Sequence, residues 1–517
     1  MRLLKFQGGI HPKGHKEATC SRPIEVLPLP EFLYLPVQQH IGAAAEPQVQ
    51  VGEQVLKGQL LAHSQGAISA PIHSPASGIV NSIEDLPAPH PSGLPVKTIV
   101  IKTDDKDEWV STSVPIDPFK LSPAEIALRV GAAGIVGLGG ATFPSAVKLN
   151  LRDKHNIHTL VMNGAECEPY LTCDDRLMQE RAEQVVDGVR IMQAALGASK
   201  VVIAIESNKQ LALDIMRGAT AAFSDIEIVK VPTRYPMGSE KHLIMAVTGK
   251  EVPAKSLSAD IGMIVHNVGT AFAIHKTIRY GLPLLSRIVT ISGGAVKEPR
   301  NLEVPLGTLV DDVIAYCGGL TEQPGRLLMG GPMMGQILPH TNVPIVKGTS
   351  GILALTKKEV SDDAVMPCIR CGSCVSACPC GLVPLEMAKR ANKGDFDGAV
   401  SYGLMDCIAC GSCAFVCPSH IPLVQYFNFA KGSLAEKQQA DKKASETRRL
   451  SELRNARIEA EKMKKAEEAA RRKADKAARD KAAAAKKLDT ESKQKEVASE
   501  QENASSKERK VKEEAAV

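Results

Sequence analysis

The sequence predicts a multidomain α/β chain, and three observations carry that prediction. Residues 116–285 alternate helix-period apolar stretches with short strand-like runs, the pattern of βα units around a mostly parallel sheet. Residues 1–115 are rich in Pro and Gly and hold short Val/Ile runs, the pattern of small β structure. Two cysteine runs of identical form stand between positions 368 and 417. The 517 residues leave room for about three to five domains, and a 44% hydrophobic content is ample for packed cores.

Within 1–115 one stretch is specific: Val49-Gln-Val-Gly52-Glu-Gln-Val55-Leu-Lys-Gly58-Gln-Leu-Leu61, then Ser74-Pro-Ala-Ser-Gly78-Ile-Val80. Gly52 and Gly58 suit turns that need a positive φ, and the alternating Val and Leu suit half-buried strands. The stretch resembles the barrel-sandwich fold of biotinyl and lipoyl carrier domains. A carrier needs a Lys at its hairpin tip, and none stands between Leu61 and Ser74. The expectation is a structural, docking version of the fold.

In 116–285, Ser122-Pro123-Ala124-Glu125 is a capping box with Pro at the first helical position, opening a helix that Gly131 can close. Thr159-Leu-Val-Met162, Val201-Val-Ile-Ala-Ile205 and Ile226-Glu-Ile-Val229 read as strands. Positions 184–196, ending at Gly197, and 210–222 read as helices. Ligands of such sheets bind at the carboxyl ends of the strands. Residues 286–350 read as a hairpin followed by a helix, then a Gly/Pro-rich segment, Gly330-Gly-Pro-Met-Met-Gly335, and fit a β-grasp module. The cysteine segment, 360–430, leaves room for short helices such as 385–391.

The cysteine runs are Cys368-x2-Cys371-x2-Cys374-x3-Cys378-Pro379 and Cys407-x2-Cys410-x2-Cys413-x3-Cys417-Pro418. Two sets of four thiolates are what two [4Fe–4S] cubanes require. The x2 spacing lets a tight turn aim successive sulfurs inward, and the Cys before Pro ligates the other cluster in two-cluster ferredoxins. One cluster is therefore assigned Cys368, Cys371, Cys374 and Cys417, the other Cys407, Cys410, Cys413 and Cys378. Paired zinc sites also use CxxC, but rarely place three Cys at x2, x2. The count of 13 Cys is odd and eight lie in these runs, which points to a reducing compartment.

Net charge is +5, but its location matters more. Residues 431–517 hold 25 Lys and Arg against 18 Asp and Glu, while the rest of the chain holds 38 against 40. The globular part is thus nearly neutral. The Ala/Lys/Glu-rich tail has no aromatic residue and too few apolar ones to drive packing, so a solvated helix or disorder is expected, with attraction to anionic lipid or a partner as the functional alternative. Aromatics make up 3% of the chain, which argues against a nucleic-acid binder built on stacking. No apolar stretch approaches membrane-spanning length, and Met1-Arg-Leu-Leu-Lys lacks the apolar core of a signal peptide. The expectation is a protein kept on the cytoplasmic side, free to dock on membrane subunits.

A second chemical site is written in Gly134-Ile-Val-Gly137-Leu-Gly139-Gly140-Ala141-Thr-Phe143-Pro144-Ser-Ala-Val-Lys148. Glycines let backbone N–H groups close on a phosphate, and Lys148 adds positive charge. On these residues alone a tight turn beside a surface Lys reads equally well. The stretch, however, resembles the flavin loop of the NADH-binding subunit of respiratory complex I. Asn163-Gly-Ala-Glu166-Cys167-Glu168-Pro169, Gly238-Ser-Glu240-Lys241 and His266-Asn267-Val268-Gly269-Thr270 are similar to three further segments of that family, in the same order.

The resemblance implies a Rossmann-like FMN- and NADH-binding domain. Gly137, Gly139, Gly140 and Lys148 would cradle the FMN phosphate. Asn163, Asn267 and Thr270 would bond the flavin, with Glu240 also a cofactor-binding residue. Phe143 would lie near the dinucleotide, and the catalytic Glu166 and Glu168 near isoalloxazine and nicotinamide. Leu138, Ala165, Ser239 and His266 depart from the family pattern, which bears on the dinucleotide contacts more than on FMN. Cys167 and Cys173 read as small buried residues and Cys380 as a spare.

The whole layout resembles the RnfC family of Rnf (Rsx) ion-translocating electron transport complexes. That likeness implies the domains 1–115, barrel-sandwich; 116–285, FMN/NADH; 286–350, β-grasp; 360–430, two-cluster ferredoxin-like; and 431–517, tail. It also implies electron flow between NADH, FMN and two [4Fe–4S] clusters. The partners implied are integral membrane and iron–sulfur subunits, at the cytoplasmic face of the bacterial inner membrane. The alternatives are a diaphorase subunit of a soluble NAD-linked hydrogenase or formate dehydrogenase, and a flavin-free iron–sulfur relay. Because the tail carries neither motif, a chain cut after Gly432 is expected to keep full NADH oxidation, measured as ferricyanide reduction.

Overall fold

Strand runs apolar along their whole length cannot lie on a half-wet sheet; they need cover on both faces. In the computed structural model, which describes residues 6–90, 92–111, 117–360 and 363–513, this is how they are used. The boundary expected at 115/116, the first five residues and the last four lie outside the described residues. The chain forms two units, 1–431 and 432–517.

In the first unit, Ile226–Val231, Lys200–Glu206, Thr159–Gly164 and Met263–Asn267 lie side by side in that order, all parallel. Helices Ala182–Leu196 and Val268–Tyr280 pack together so closely that a Cβ on Gly188 would stand 1.9 Å from Ala271 O. The capping box forms as expected: Ser122 Oγ accepts from Glu125 N, and the Glu125 carboxylate accepts from Ser122 N. The helix runs Pro123–Ala132, so Gly131 lies inside it and does not close it. The left-handed residue is Gly134, φ 69°, just past the C-cap Ala133.

The N-terminal β domain is a sandwich of two antiparallel sheets. One holds Phe32–Pro36, Pro95–Thr103, Gly78–Pro87 and Gln54–Val55; the other holds Glu46–Pro47, Leu60–His63 and Ile72–His73. Gly52 and Gly58 both adopt positive φ, 86° and 84°. The inward residues Leu33, Leu35, Val55, Leu61, Ile72 and Ile101 join one core with the helices that cover the parallel sheet.

Residues 286–305 form the expected hairpin, Ser286–Ser292 antiparallel to Arg300–Pro305, followed by helix Val310–Tyr316. Their six-stranded mixed sheet draws on more of the chain than 286–350. Gly351–Leu355 lies inside it, and Ile24–Val26 adds a parallel edge strand against Arg300–Pro305. The residues before that strand do not join the sandwich either. Gly9 N donates to Ala377 O (2.9 Å) and Ile10 pairs with Tyr235, which ties the cysteine segment to the parallel-sheet domain.

Lys347 is a three-way tie. Its side chain is buried and its Nζ donates to Pro71 O and Gly134 O, both at 2.7 Å, while its backbone N–H donates to Gln39 Oε1. Burial pushes its ammonium down to about 7. The cysteine segment carries helices Ser373–Ala377, Pro384–Asn392, Phe396–Ser401 and Ser412–Phe415. Leu423–Glu513 is one helix of 91 residues, and positions 435–506 along it are exposed. Among the described residues no helix is long and apolar enough to cross a membrane.

Gly188→Ala should drive a methyl group into the Ala271 carbonyl and cost about 1–3 kcal/mol, the usual penalty of overpacking. Thermal unfolding of the first unit should show it as a lowered Tm.

Candidate functional site

A cavity of about 880 Å³ opens at the carboxyl ends of the parallel strands, where ligands of such sheets bind. Its volume suits a ligand of nucleotide size. The sandwich contributes Gln38–His40 and the hairpin near His90, the parallel domain the Gly139–Thr142 loop and Asn163–Glu168, and the mixed sheet Met329–Gln336. The cysteine segment contributes Ile408.

The glycine loop faces the start of helix Val268–Tyr280. Asn267 is that helix's N-cap, with Oδ1 accepting from Gly269 N (2.8 Å). A Cβ on Gly139 would sit 3.3 Å from the Asn267 Cβ, whereas Gly140, φ 102°, looks into open space. A glycine loop set against a helix N-terminus is a phosphate cradle, and the side chain–free surface here fits one. Thr270 Oγ1 accepts from Leu138 N (3.0 Å), and Gly137 N donates to Phe143 O (2.8 Å), so Thr270, Gly137 and Phe143 shape the loop without lining the cavity, while Leu138 lines it. Lys148 does not line it either. Its Nζ pairs with Glu240 (3.1 Å) and donates to Val265 O (3.1 Å). Asn163 lines the cavity and is held by Nδ2 donating to Gly238 O (2.8 Å).

Glu166 and Glu168 share the floor but not the chemistry. Glu166 Oε1 accepts from Asp174 N (2.9 Å), and Oε2 lies 3.3 Å from Lys209 Nζ and 3.9 Å from Lys16 Nζ. Burial opposes its charge, but Lys209, Lys16 and the Asp174 N–H hold its carboxyl below the usual range. Glu168 instead accepts from Met333 N (3.0 Å) and Met334 N (2.9 Å), clamping the 330–335 loop of the mixed sheet over the cavity. Burial pushes its carboxyl up to about 7, against those two N–H donors and Lys16. Sequence reading missed Lys16, Lys209 and Asp174. Asp174 follows the recognised 163–169 segment closely enough to have been flagged; Lys16, within the stretch read as small β structure, gave no signal.

The eight run cysteines gather in two sets. Cys378, Cys407, Cys410 and Cys413 line one pocket and Cys368, Cys371, Cys374 and Cys417 another. Among the described residues no His, Cys, Asp or Glu converge as single-ion ligands would. Four cysteines line each pocket, the number of thiolates a cubane takes, so the donor set fits the cluster. Cys380 lines the first pocket beside Cys378. That pocket also shares Ile408 with the large cavity, and Tyr235, on the cavity wall, donates its hydroxyl to Cys410 O (2.6 Å). Cys368 and Cys371 of the other set are exposed.

Four family models match this chain: a Nuo51 FMN-binding domain at 130–276, an RnfC barrel sandwich hybrid domain at 4–106, an SLBB domain at 288–336, and a 4Fe–4S dicluster domain at 367–421. The chain is 55% identical over 439 residues to the RnfC-type subunit of the ion-translocating oxidoreductase complex of Rhodobacter capsulatus, covering 85% of each. It is 46% identical over 431 residues to the corresponding subunit of the proton-translocating ferredoxin:NAD(+) oxidoreductase complex of Clostridium ljungdahlii, covering 83% of this chain and 94% of that one. A solved NAD+-reducing [NiFe]-hydrogenase in its H2-reduced state aligns with a TM-score of 0.43 and 18% identity, over 59% of this chain and 63% of that one.

Because the two cysteine sets occupy separate pockets, Cys371→Ala should abolish one of two cluster EPR signals and leave flavin bound. Reduced samples of wild type and variant, compared by EPR with bound flavin quantified, check this.

Proposed function

The chain belongs to the RnfC family, whose members are subunits of ion-translocating oxidoreductase complexes, and from that premise we propose that it passes electrons between a nicotinamide dinucleotide, FMN and two [4Fe–4S] clusters, and on to partner subunits. It is a subunit of an oxidoreductase complex and carries an FMN-binding and a 4Fe–4S dicluster domain. When bound, FMN converts the two-electron hydride of a nicotinamide into the single electrons that a cubane accepts. The observation that carries the reading is the shared wall: Ile408 and Tyr235 separate the large cavity from the Cys378, Cys407, Cys410 and Cys413 pocket. That set exchanges electrons with the flavin, and the set with exposed Cys368 and Cys371 faces the partner.

In this reading the parallel-sheet domain within 116–285 is Rossmann-like, the sandwich of residues 32–103 is a carrier fold without its Lys, and the β-grasp module of 286–350 extends to the strands Ile24–Val26 and Gly351–Leu355; 360–430 holds the clusters. Gly139 and Gly140, beside the Asn267 N-cap, hold the FMN phosphate, with Gly137, Phe143 and Thr270 fixing the loop. Lys148 is neutralised by Glu240 and does not line the cavity, so the phosphate is left to the glycine loop. Asn163 orients the ring, and Glu166 and Glu168 line the nicotinamide side. The chain docks at the cytoplasmic face of the bacterial inner membrane as a peripheral subunit, against integral membrane and iron–sulfur partners. The name of the Clostridium ljungdahlii relative, part of a ferredoxin:NAD(+) oxidoreductase, supports the nicotinamide and the electron-transfer chain.

The test is one anaerobic preparation. FMN, iron and sulfide should be found in the ratio of one flavin to two cubanes, with NADH–ferricyanide turnover and co-fractionation with membranes. Zinc in place of iron and sulfide would remove the electron path. A flavin-free, inactive protein would favour the relay, and a complex found only in the soluble fraction would favour the diaphorase.

A further inference from the structure

A smaller void adjoins the cavity across one wall. Leu138, Cys173 and Asp174 line both the 880 Å³ cavity and a smaller void of about 40 Å³ behind it. A void of that size holds at least one water, which needs about 10–15 Å³. Its far side is formed by Lys276, Ser286, Arg287 and Glu303. Lys276 Nζ lies 3.3 Å from Glu303, and their side chains are 33% and 21% exposed, so the void ends at an ion pair in contact with solvent. Asp174 is the carboxylate in the wall between the two spaces.

The other acids near the cavity are committed elsewhere. Glu166 is fixed by Lys209, Lys16 and two donors on the following helix. Glu168 is spent on the 330–335 loop. Glu206 is fully buried beneath the floor and does not line the cavity. Asp174 accepts from Asn267 Nδ2 (2.6 Å), so it also touches the residue that caps the phosphate-binding helix.

We propose that Asp174 is the proton-exchanging residue of the flavin cavity, drawing a proton from solvent through the Lys276–Glu303 void when a hydride arrives and returning it when the electrons leave. The inference rests on the FMN and nicotinamide reading above. The balance is simple. A hydride brings two electrons and one proton, and so adds one negative charge to the site. One solvent proton bound by the Asp174 carboxylate cancels that charge. When the two electrons pass singly to the cluster side, the hydride's proton and the Asp174 proton both go back to water.

The electrostatics suit this exchange. Enclosure and the Glu166 carboxylate raise Asp174 to about 7, against the Asn267 amide and the Arg287 and Lys209 charges. Cys173 beside it is raised well above its ordinary value by burial and stays a neutral thiol. Across the void stand Lys276 and Glu303, already paired with each other. A carboxyl poised near neutrality changes protonation for a modest change in local charge, which an ordinary Asp does not.

Redox-difference infrared spectroscopy on the anaerobic full-length holoprotein, reduced electrochemically, tests the proposal. Above neutral pH, reduction of the flavin should add a carboxylic-acid C=O band, which should disappear from the difference spectrum at acid pH, where Asp174 is already protonated. Asp174→Asn should abolish the band, and Asp174→Glu should shift it. Absence of the band in wild type, or its persistence in Asp174→Asn, overturns the proposal. Should Asp174→Asn fail to retain FMN, wild type and Asp174→Glu decide between an Asp174 band and none. A wild-type protein without FMN would bring down the functional reading as well; reducible FMN without the band sinks the Asp174 inference alone.

Discussion

A carboxylate with almost no access to water must be paired or give up its charge, and Glu166 is such a group. Lys209, just beyond the carboxyl end of the Lys200–Glu206 strand, supplies one cation, and Lys16, from a segment 150 residues away, supplies the other. Lys16 Nζ also donates to the backbone carbonyls of Glu166, Glu168 and Leu171. One buried ammonium thus fixes the turn that forms the cavity floor and sets where Glu168 and Asp174 stand. Removing one partner of such a pair costs about 3–5 kcal/mol because the other charge stays buried and unpaired. The N-terminal segment is therefore part of the site.

The cavity is assembled by close approaches that only glycines permit. A Cβ on Gly134 would stand 2.5 Å from Pro71 O, one on Gly348 would stand 2.6 Å from Thr142, and one on Gly331 would overlap Glu168. At these places a glycine lets neighbouring parts meet: Gly134 against the Pro71 carbonyl, Gly348 against the Thr142 methyl group, and Gly331 against the Glu168 side chain. Lys347 then ties the same three parts through carbonyls that would otherwise lack partners. A site built from rigid elements of several domains holds its donors in place before any ligand arrives, which is the condition for electrostatic stabilisation without reorganisation.

Much of this was legible in the chain itself. The strands of the parallel sheet were readable because a run such as Val201–Ile205 is apolar throughout, and the Ser122 box because capping is local. The end of that first helix was misjudged because Gly131 is a permissive residue inside it, while the left-handed position belongs to Gly134. The strand Ile24–Val26 was invisible, since its partner lies 277 residues along the chain and three residues carry no period. Lys148 reads as a phosphate ligand from its spacing after the glycines, yet in the fold it meets Glu240, a residue 92 positions later.

By itself, then, the sequence determined what depends on near neighbours: the helix caps, the strand runs, the glycine loop and the two cysteine runs. Tertiary structure alone decided what depends on charge pairing and contact across hundreds of residues. It chose which carboxylate stays ionised, which one clamps the 330–335 loop, and which cysteine set stands beside the cavity. The physical reason is that local geometry follows from residues a few positions apart. The pairing of a buried charge, and the meeting of Ile408 with a cavity formed by residues 38–350, follow only from how the whole chain closes.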